Sequence, residues 1–150
     1  MVVGLTGGIG SGKTTIASLF DEFENVVIYN ADFEAKKIMN SSSTIKSKII
    51  QQFGEKSYLN NQLNSAYIAS LVFNDKSKLD LLTSLVHPEV KKHFHYFKNL
   101  HGQKEYILYE NAILFESKSN LNCDIIISVY TPLDIRITRT MLRDQSSRAA

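Results

Sequence analysis

Five of the seven glycines, Gly4, Gly7, Gly8, Gly10 and Gly12, fall within the first twelve residues. They lie between an apolar, β-branched run, Met1 to Thr6, and a segment, Thr14 to Phe23, in which Ile16, Ala17, Leu19, Phe20 and Phe23 mark one helical stripe. Gly7-Gly8-Ile9-Gly10-Ser11-Gly12-Lys13-Thr14 fits the phosphate-loop pattern G-x-x-x-x-G-K-[ST], in the strand, loop and helix setting that the pattern requires. Backbone amides of about residues 8 to 14 then form a concave anion nest, and the helix that follows adds its positive end. Lys13 brings a full charge to the β- and γ-phosphates, and Thr14 offers its hydroxyl to Mg²⁺.

A chain built this way is α/β with a mostly parallel sheet. Asn25 to Tyr29 is a second strand reached through a helix, hence parallel to the first with a right-handed crossover. Glu105 to Tyr109 and Asp124 to Tyr130 are the third and fourth, and their near-continuous apolar runs predict a sheet buried on both faces. Roughly 70 residues separate strands two and three, far more than an ordinary crossover of about a dozen, and predict a helical subdomain. Its pieces are Thr44 to Phe53, Ser65 to Phe73, Asp75 to Val86 behind an Asn74 cap, and Pro88 to Leu100 with proline in the first turn. The expected division is a nucleotide-binding core at 1–32 and 104–132, a helical insertion at 33–103, and a last segment at 133–150. In that segment Leu133, Ile137 and Met141 share one helical side, and Arg136, Arg139 and Arg143 another.

Parallel strands deliver the residues just past their carboxyl ends to the phosphates. Asp32 follows the second strand, where a carboxylate can orient an acceptor hydroxyl and take its proton, or can cap a helix from Phe33 to Met39. Glu110 ends the third strand, as a metal-holding carboxylate or a solvated charge. Arg139 and Arg143, spaced i, i+4, can close over transferring phosphates or form a solvated basic face. His87 before Pro88 reads first as a capping or packing residue. His93, His95 and His101 lack neighbours at zinc-binding spacing. Phe94, Tyr96 and Phe97 among Lys91, Lys92 and Lys98 fit an amphipathic helix better than a nucleic-acid stacking platform.

Composition excludes other classes. Seventeen basic and fifteen acidic side chains leave a net charge of +2, too balanced for wholesale electrostatic binding to nucleic acid or lipid. A single cysteine, Cys123, allows no internal disulfide and reads as a small buried hydrophobe. With no signal-peptide pattern and no spanning apolar stretch, the expected location is cytoplasmic, without membrane or nucleic-acid partners; nothing in the sequence signals an oligomeric state.

Val3 to Thr15 resembles the opening signature of the dephospho-CoA kinases of coenzyme A biosynthesis. Further matches follow in order: Asn30-Ala31-Asp32 resembles the family's Asp-Ala-Asp, Phe53-Gly54-Glu55 its Phe-Gly-Glu, and Val72-Phe73 with Asp75 its Val-Phe-x-Asp. Leu85-Val86-His87-Pro88 is similar to its Leu-Leu-His-Pro, Ile113 to Glu116 to its Leu-Leu-Phe-Glu, and Arg139 to Asp144 to its Arg-x-Met-x-Arg-Asp. The resemblance implies a three-layer P-loop fold of the nucleoside-monophosphate-kinase type, using ATP and Mg²⁺ to phosphorylate the ribose 3′-hydroxyl of dephospho-CoA. It implies Asp32, Lys13 and Arg139 as catalytic groups, and Gly8, Ile9, Gly10, Ser11, Gly12, Lys13, Thr14, Thr15 and Arg143 around ATP. Asp32, Lys36 and His87 would meet the acceptor, and Thr14 and Glu110 the metal. The chain departs from the family at Asn30 (usually Asp), Lys36 (Arg), Ser65 (Arg) and Ala112 (Pro), and it is expected to be a C-terminally shortened version without the lid's remainder and a fifth strand. The alternatives are another phosphate-loop kinase of a nucleoside or small alcohol, or a nucleotide-binding module inactive in this shortened form. A guanine-reading Asn-Lys-x-Asp segment is missing.

Overall fold

A computed structural model describes residues 1–145. The elements run β1 (Val2–Thr6), α1 (Lys13–Phe20), β2 (Val26–Asn30), α2 (Ala31–Ser41), α3 (Ser43–Phe53), β3 (Tyr58–Leu59), β4 (Gln62–Leu63), α4 (Ser65–Val72), α5 (Lys76–Leu100), β5 (Tyr106–Glu110), β6 (Ile125–Ser128) and α6 (Leu133–Asp144). The described residues form two compact units, one of 1–32 with 98–145 and the other of Phe33–Phe97. No helix among the described residues is long and apolar enough to cross a membrane.

The first unit is built on a four-stranded sheet in the order β2-β5-β1-β6, with every pairing parallel. β1 and β2 share a direction, as expected, but β5 lies between them. On one face Leu5, Ala17 and Leu108 are buried with Val3, Ile16, Phe20, Ile28 and Ile127 packed around them, so α1 covers this face. On the other face Tyr29 and Tyr109, register partners in β2 and β5, stack at 5.4 Å between ring centroids. Offset aromatic stacking adds about 0.5–1.5 kcal/mol beyond area burial. A one-residue slip would separate these rings and turn every neighbour to the wrong face, so the pair fixes the register of the positions next to it. Two sequence expectations change here. Ile125 and Ile126 on β6 are 51% and 38% exposed, because β6 is an edge of the described sheet and not a strand covered on both sides. Cys123 is half-buried, its sulfur against Gly4, where a Cβ would approach it to 2.8 Å.

In the second unit Ile45, Ile49 and Phe53, at i, i+4 and i+8 of α3, join Ile68 of α4 in a buried cluster. Ser42 caps α3 by accepting from the Ile45 N–H, and Asn64 caps α4 by accepting from the Tyr67 N–H. β3 and β4 form a small hairpin that the strand patterns do not predict. Its turn residues Asn60 and Asn61 both have positive φ, 48° and 68°, as a type I′ turn demands and asparagine tolerates.

The largest departure from the sequence reading is α5. Two helices divided at His87-Pro88 are expected, and a single helix of 25 residues runs through Pro88. Asp75, not Asn74, caps it, accepting from the Lys78 N–H. An internal proline costs about 3 kcal/mol through a lost hydrogen bond and a steric clash. Val86, Val90 and Phe94 form one stripe across the proline and are each at most 6% exposed. Burying each such side chain returns about 1.5–3 kcal/mol, so an unbroken stripe outweighs the break.

Ile49 is fully buried and Phe73 is 83% exposed. Ile49→Ala should lower unfolding stability by about 2–5 kcal/mol, and Phe73→Ser by less than about 0.5 kcal/mol, in urea melts followed by circular dichroism.

Candidate active site

β1 runs directly into the loop Gly7 to Gly12, and α1 starts at Lys13. Gly10 and Gly12 have φ of 76° and 97°, a region that side chains with a Cβ rarely adopt. The carbonyls of this loop are occupied one after another. Lys13 Nζ donates to the Gly7 and Gly8 carbonyls at 2.7 and 3.3 Å. Arg136 Nε donates to the Ile9 carbonyl at 2.8 Å, and Arg139 reaches the Gly10 carbonyl at 3.4 Å. Thr131 Oγ1 donates to the Ser11 carbonyl at 2.9 Å, and the Ile16 N–H closes the first helical turn on the Gly12 carbonyl at 3.0 Å. With the acceptors satisfied, the N–H groups at the start of α1, which have no intrahelical partner, are left for an anion.

The loop borders a cavity of about 510 Å³ whose lining belongs to the first unit. Lys13, Thr14, Asp32, Glu110, Arg139 and Arg143 all contribute to it. Of the residues expected around ATP, Ile9 to Thr15 and Arg143 line this cavity. Gly8 instead lies beneath the guanidinium of Arg136. Lys36 and His87 belong to the second unit. Burial holds the His87 imidazole below its ordinary pKa, which keeps it neutral near pH 7.

Glu110 is 6% exposed at the carboxyl end of β5. Thr14 Oγ1 donates to its Oε1 at 2.9 Å, and Asn30 Nδ2 donates to its Oε2 at 2.7 Å. Asn30 is the register partner of Glu110, one step beyond the stacked Tyr29 and Tyr109. A second carboxylate in place of Asn30 would face Glu110 at hydrogen-bond distance and repel it; the amide donates instead. A threonine hydroxyl and a carboxylate are hard oxygen donors, and Mg²⁺ is ordinarily held by one or two such groups together with substrate phosphates, so these residues fit that ion.

Asp32 is not the residue before a helix. It is the second residue of α2, which starts immediately after β2, so its carboxylate sits in the first helical turn, where the helix dipole favours negative charge. Lys13 is pulled below its usual pKa of 10.5 by burial first, while Glu110 and Asp32 oppose the shift and Arg136 and Arg143 add to it. Arg143 makes a forked pair with Asp144 at 2.7 and 2.8 Å.

In α6 the half-buried side carries Arg136, Ile137, Thr140 and Met141, while Leu133 is 62% exposed rather than packed with Ile137 and Met141. In the sequence Arg136 is visible only as part of a basic face and Asn30 only as a departure from the family pattern. The signals were available: Arg136 is one turn before Arg139, and Asn30 ends the strand that precedes Asp32.

The family model of the dephospho-CoA kinases matches residues 1–150. A dephospho-CoA kinase of Bacteroides fragilis is 33% identical over 145 residues, covering 97% of this chain and 70% of the relative. One from Aggregatibacter actinomycetemcomitans is 35% identical, with 99% and 71% covered. Among solved structures, a Thermus thermophilus crystal structure superposes with a TM-score of 0.80 at 27% identity, covering 99% of this chain and 75% of the other. The dephospho-CoA kinase from Campylobacter jejuni superposes at 0.69 and 25% identity, with the same shares covered. By its phosphate loop, its parallel sheet and this match along its length, the chain belongs to the dephospho-CoA kinase family.

Proposed function

We propose that the chain transfers the γ-phosphoryl group of ATP to the ribose 3′-hydroxyl of dephospho-CoA, giving ADP and coenzyme A. Membership in a kinase family brings ATP and this acceptor. The observation that carries the assignment of roles is that the phosphate loop and Asp32 line one cavity.

In the proposed reaction Asp32 accepts the proton of the 3′-hydroxyl as its oxygen bonds to the γ-phosphorus, and the bond from that phosphorus to the β,γ-bridging oxygen breaks toward ADP. The loop amides and Lys13 bind the β- and γ-phosphates, and Arg139 with Arg143 offsets charge on the transferring group. Thr14 and Glu110 would hold Mg²⁺, which when bound neutralises β- and γ-phosphate charge. Preorganisation supports these roles: Lys13 is already hydrogen-bonded into the loop, so it spends little conformational freedom on binding. Residues 33–103 are the proposed CoA-binding insertion, carrying Lys36 and His87 as acceptor contacts, and 133–150 the start of a lid. A cytoplasmic location without membrane or nucleic-acid partners belongs to the same reading, supported by the near-neutral charge and the single unpaired cysteine.

Asp32→Asn should lower kcat by about 10²–10⁴ without weakening ATP binding, since it removes the proton acceptor and, with it, a negative charge beside the phosphates. Steady-state kinetics with dephospho-CoA beside calorimetric ATP binding measures both, and equal losses would move Asp32 from base to structural support.

Lys13→Ala should reduce turnover by about 10²–10³. ATP binding favours the charged lysine, so the pKa of Lys13 is higher in the complex than in the free protein. Affinity is therefore full below the free-state pKa, which lies under 10.5, and declines as pH rises through it. Titrations at alkaline pH should show that decline in the native chain and a flat profile in Lys13→Arg.

A further inference from the structure

We propose that Arg136 is a positioning residue that fastens the tip of the phosphate loop to α6, so that loop and helix move as one and the loop stays in its anion-binding shape. The inference rests on the reading of this loop as the triphosphate site.

Three contacts from a single residue carry it. Arg136 Nε donates to the Ile9 carbonyl at 2.8 Å. The rest of the guanidinium lies against Gly8, where a Cβ would collide with its Cζ and both terminal nitrogens. The backbone carbonyl of Arg136 lies against Gly10, where a Cβ would come within 2.5 Å, and that carbonyl accepts from Thr140 Oγ1 at 2.9 Å. The side chain therefore holds one part of the loop and the main chain of the same helical turn holds another.

Gly8 shows what the contact demands. Gly7, Gly10 and Gly12 have positive φ and Gly8 does not, so its backbone conformation alone does not call for glycine. A side chain at this position would meet the Arg136 guanidinium, which would have to move aside. A planar, delocalised cation can lie against a peptide plane while its Nε–H meets the neighbouring carbonyl, and a lysine ammonium on its flexible stem cannot do both. A charge-assisted hydrogen bond to a carbonyl is about twice as strong as a neutral one, which suits a contact meant to restrain a glycine-rich segment.

Arg136 also differs from the two arginines that follow it. It is half-buried, whereas Arg139 and Arg143 are exposed and line the cavity. Its charge contributes to lowering the pKa of Lys13, as expected of a cation close behind the loop. Arg139, which also reaches the Gly10 carbonyl, and Arg143 face the cavity, whereas Arg136 holds the loop without lining it.

The test is a double-mutant cycle on Gly8→Ala and Arg136→Ala, read by calorimetric ATP binding and by hydrogen exchange of the peptide covering residues 7–12 without nucleotide. Arg136→Ala should weaken ATP binding about tenfold, the scale of one charge-assisted hydrogen bond, and speed exchange in the loop. Gly8→Ala should do the same by displacing the guanidinium, and the double variant should be no worse than Arg136→Ala alone. Thermal midpoints within about 2 °C of the native chain would separate this from general destabilisation. Additive losses, or unchanged loop exchange in Arg136→Ala, would overturn the proposal. A native chain that binds no ATP would sink the triphosphate reading instead, and the exchange data would still decide whether Arg136 fastens the loop.

Discussion

Everything at the proposed catalytic centre depends on where the phosphate-loop carbonyls point and what holds them there. A buried or confined carbonyl without a partner is costly, and a glycine-rich segment left to itself samples many conformations. Here Lys13, Arg136, Arg139, Thr131 and the first turn of α1 each hold a carbonyl of the segment. The donors come from α1, from α6 and from the stretch joining β6 to α6, so the loop is as well defined as the framework on which it is mounted. An anion site made of amides works only if the amides stay aligned before the anion arrives.

The second requirement is the carboxyl edge of the sheet. Parallel pairing places Asn30 beside Glu110, and Thr14 reaches the same carboxylate from α1. Both oxygens of Glu110 are thereby held in a nearly enclosed position, and the Tyr29–Tyr109 stack one residue back keeps the strands from sliding. Asparagine at this position exchanges a charge for a donor, and the site has one negative charge fewer than the family's usual Asp-Ala-Asp would bring. In the proposed reading, Glu110 would be the one strand-end carboxylate at this position, beside the Thr14 hydroxyl and the substrate's own phosphates.

The phosphate loop, the two strands around it and the helical character of residues 33–100 were legible because each is a local pattern: glycine spacing, β-branched runs and apolar stripes. Strand order was not, because the insertion of β5 between β1 and β2 depends on pairings across some hundred positions that no local pattern encodes. Pro88 was read by its intrinsic preference, and burial of Val86, Val90 and Phe94 overrode that preference. The hairpin at Asn60-Asn61 escaped notice because its strands are only two residues long, too short for alternation to register, although the asparagine pair itself was a usable turn signal. Asp32, Lys13, Thr14, Glu110, Arg139 and Arg143 were named from spacing and all line one cavity. Arg136 was legible only as part of a basic helical face, because its contacts with Gly8, Ile9 and Gly10 join positions far apart in the chain, which no local motif encodes.

The exposed margin of β6 bears on how the protein behaves at high concentration. Ile125 and Ile126 are exposed there without a lysine or proline beside them to discourage strand-to-strand adhesion, and the preceding acid, Asp124, directs its carboxylate inward to the Val2 N–H. Such a margin is a template for indiscriminate stacking between molecules. On this rim of the described sheet a single outward charge at Ile125 or Ile126 would act as a gatekeeper.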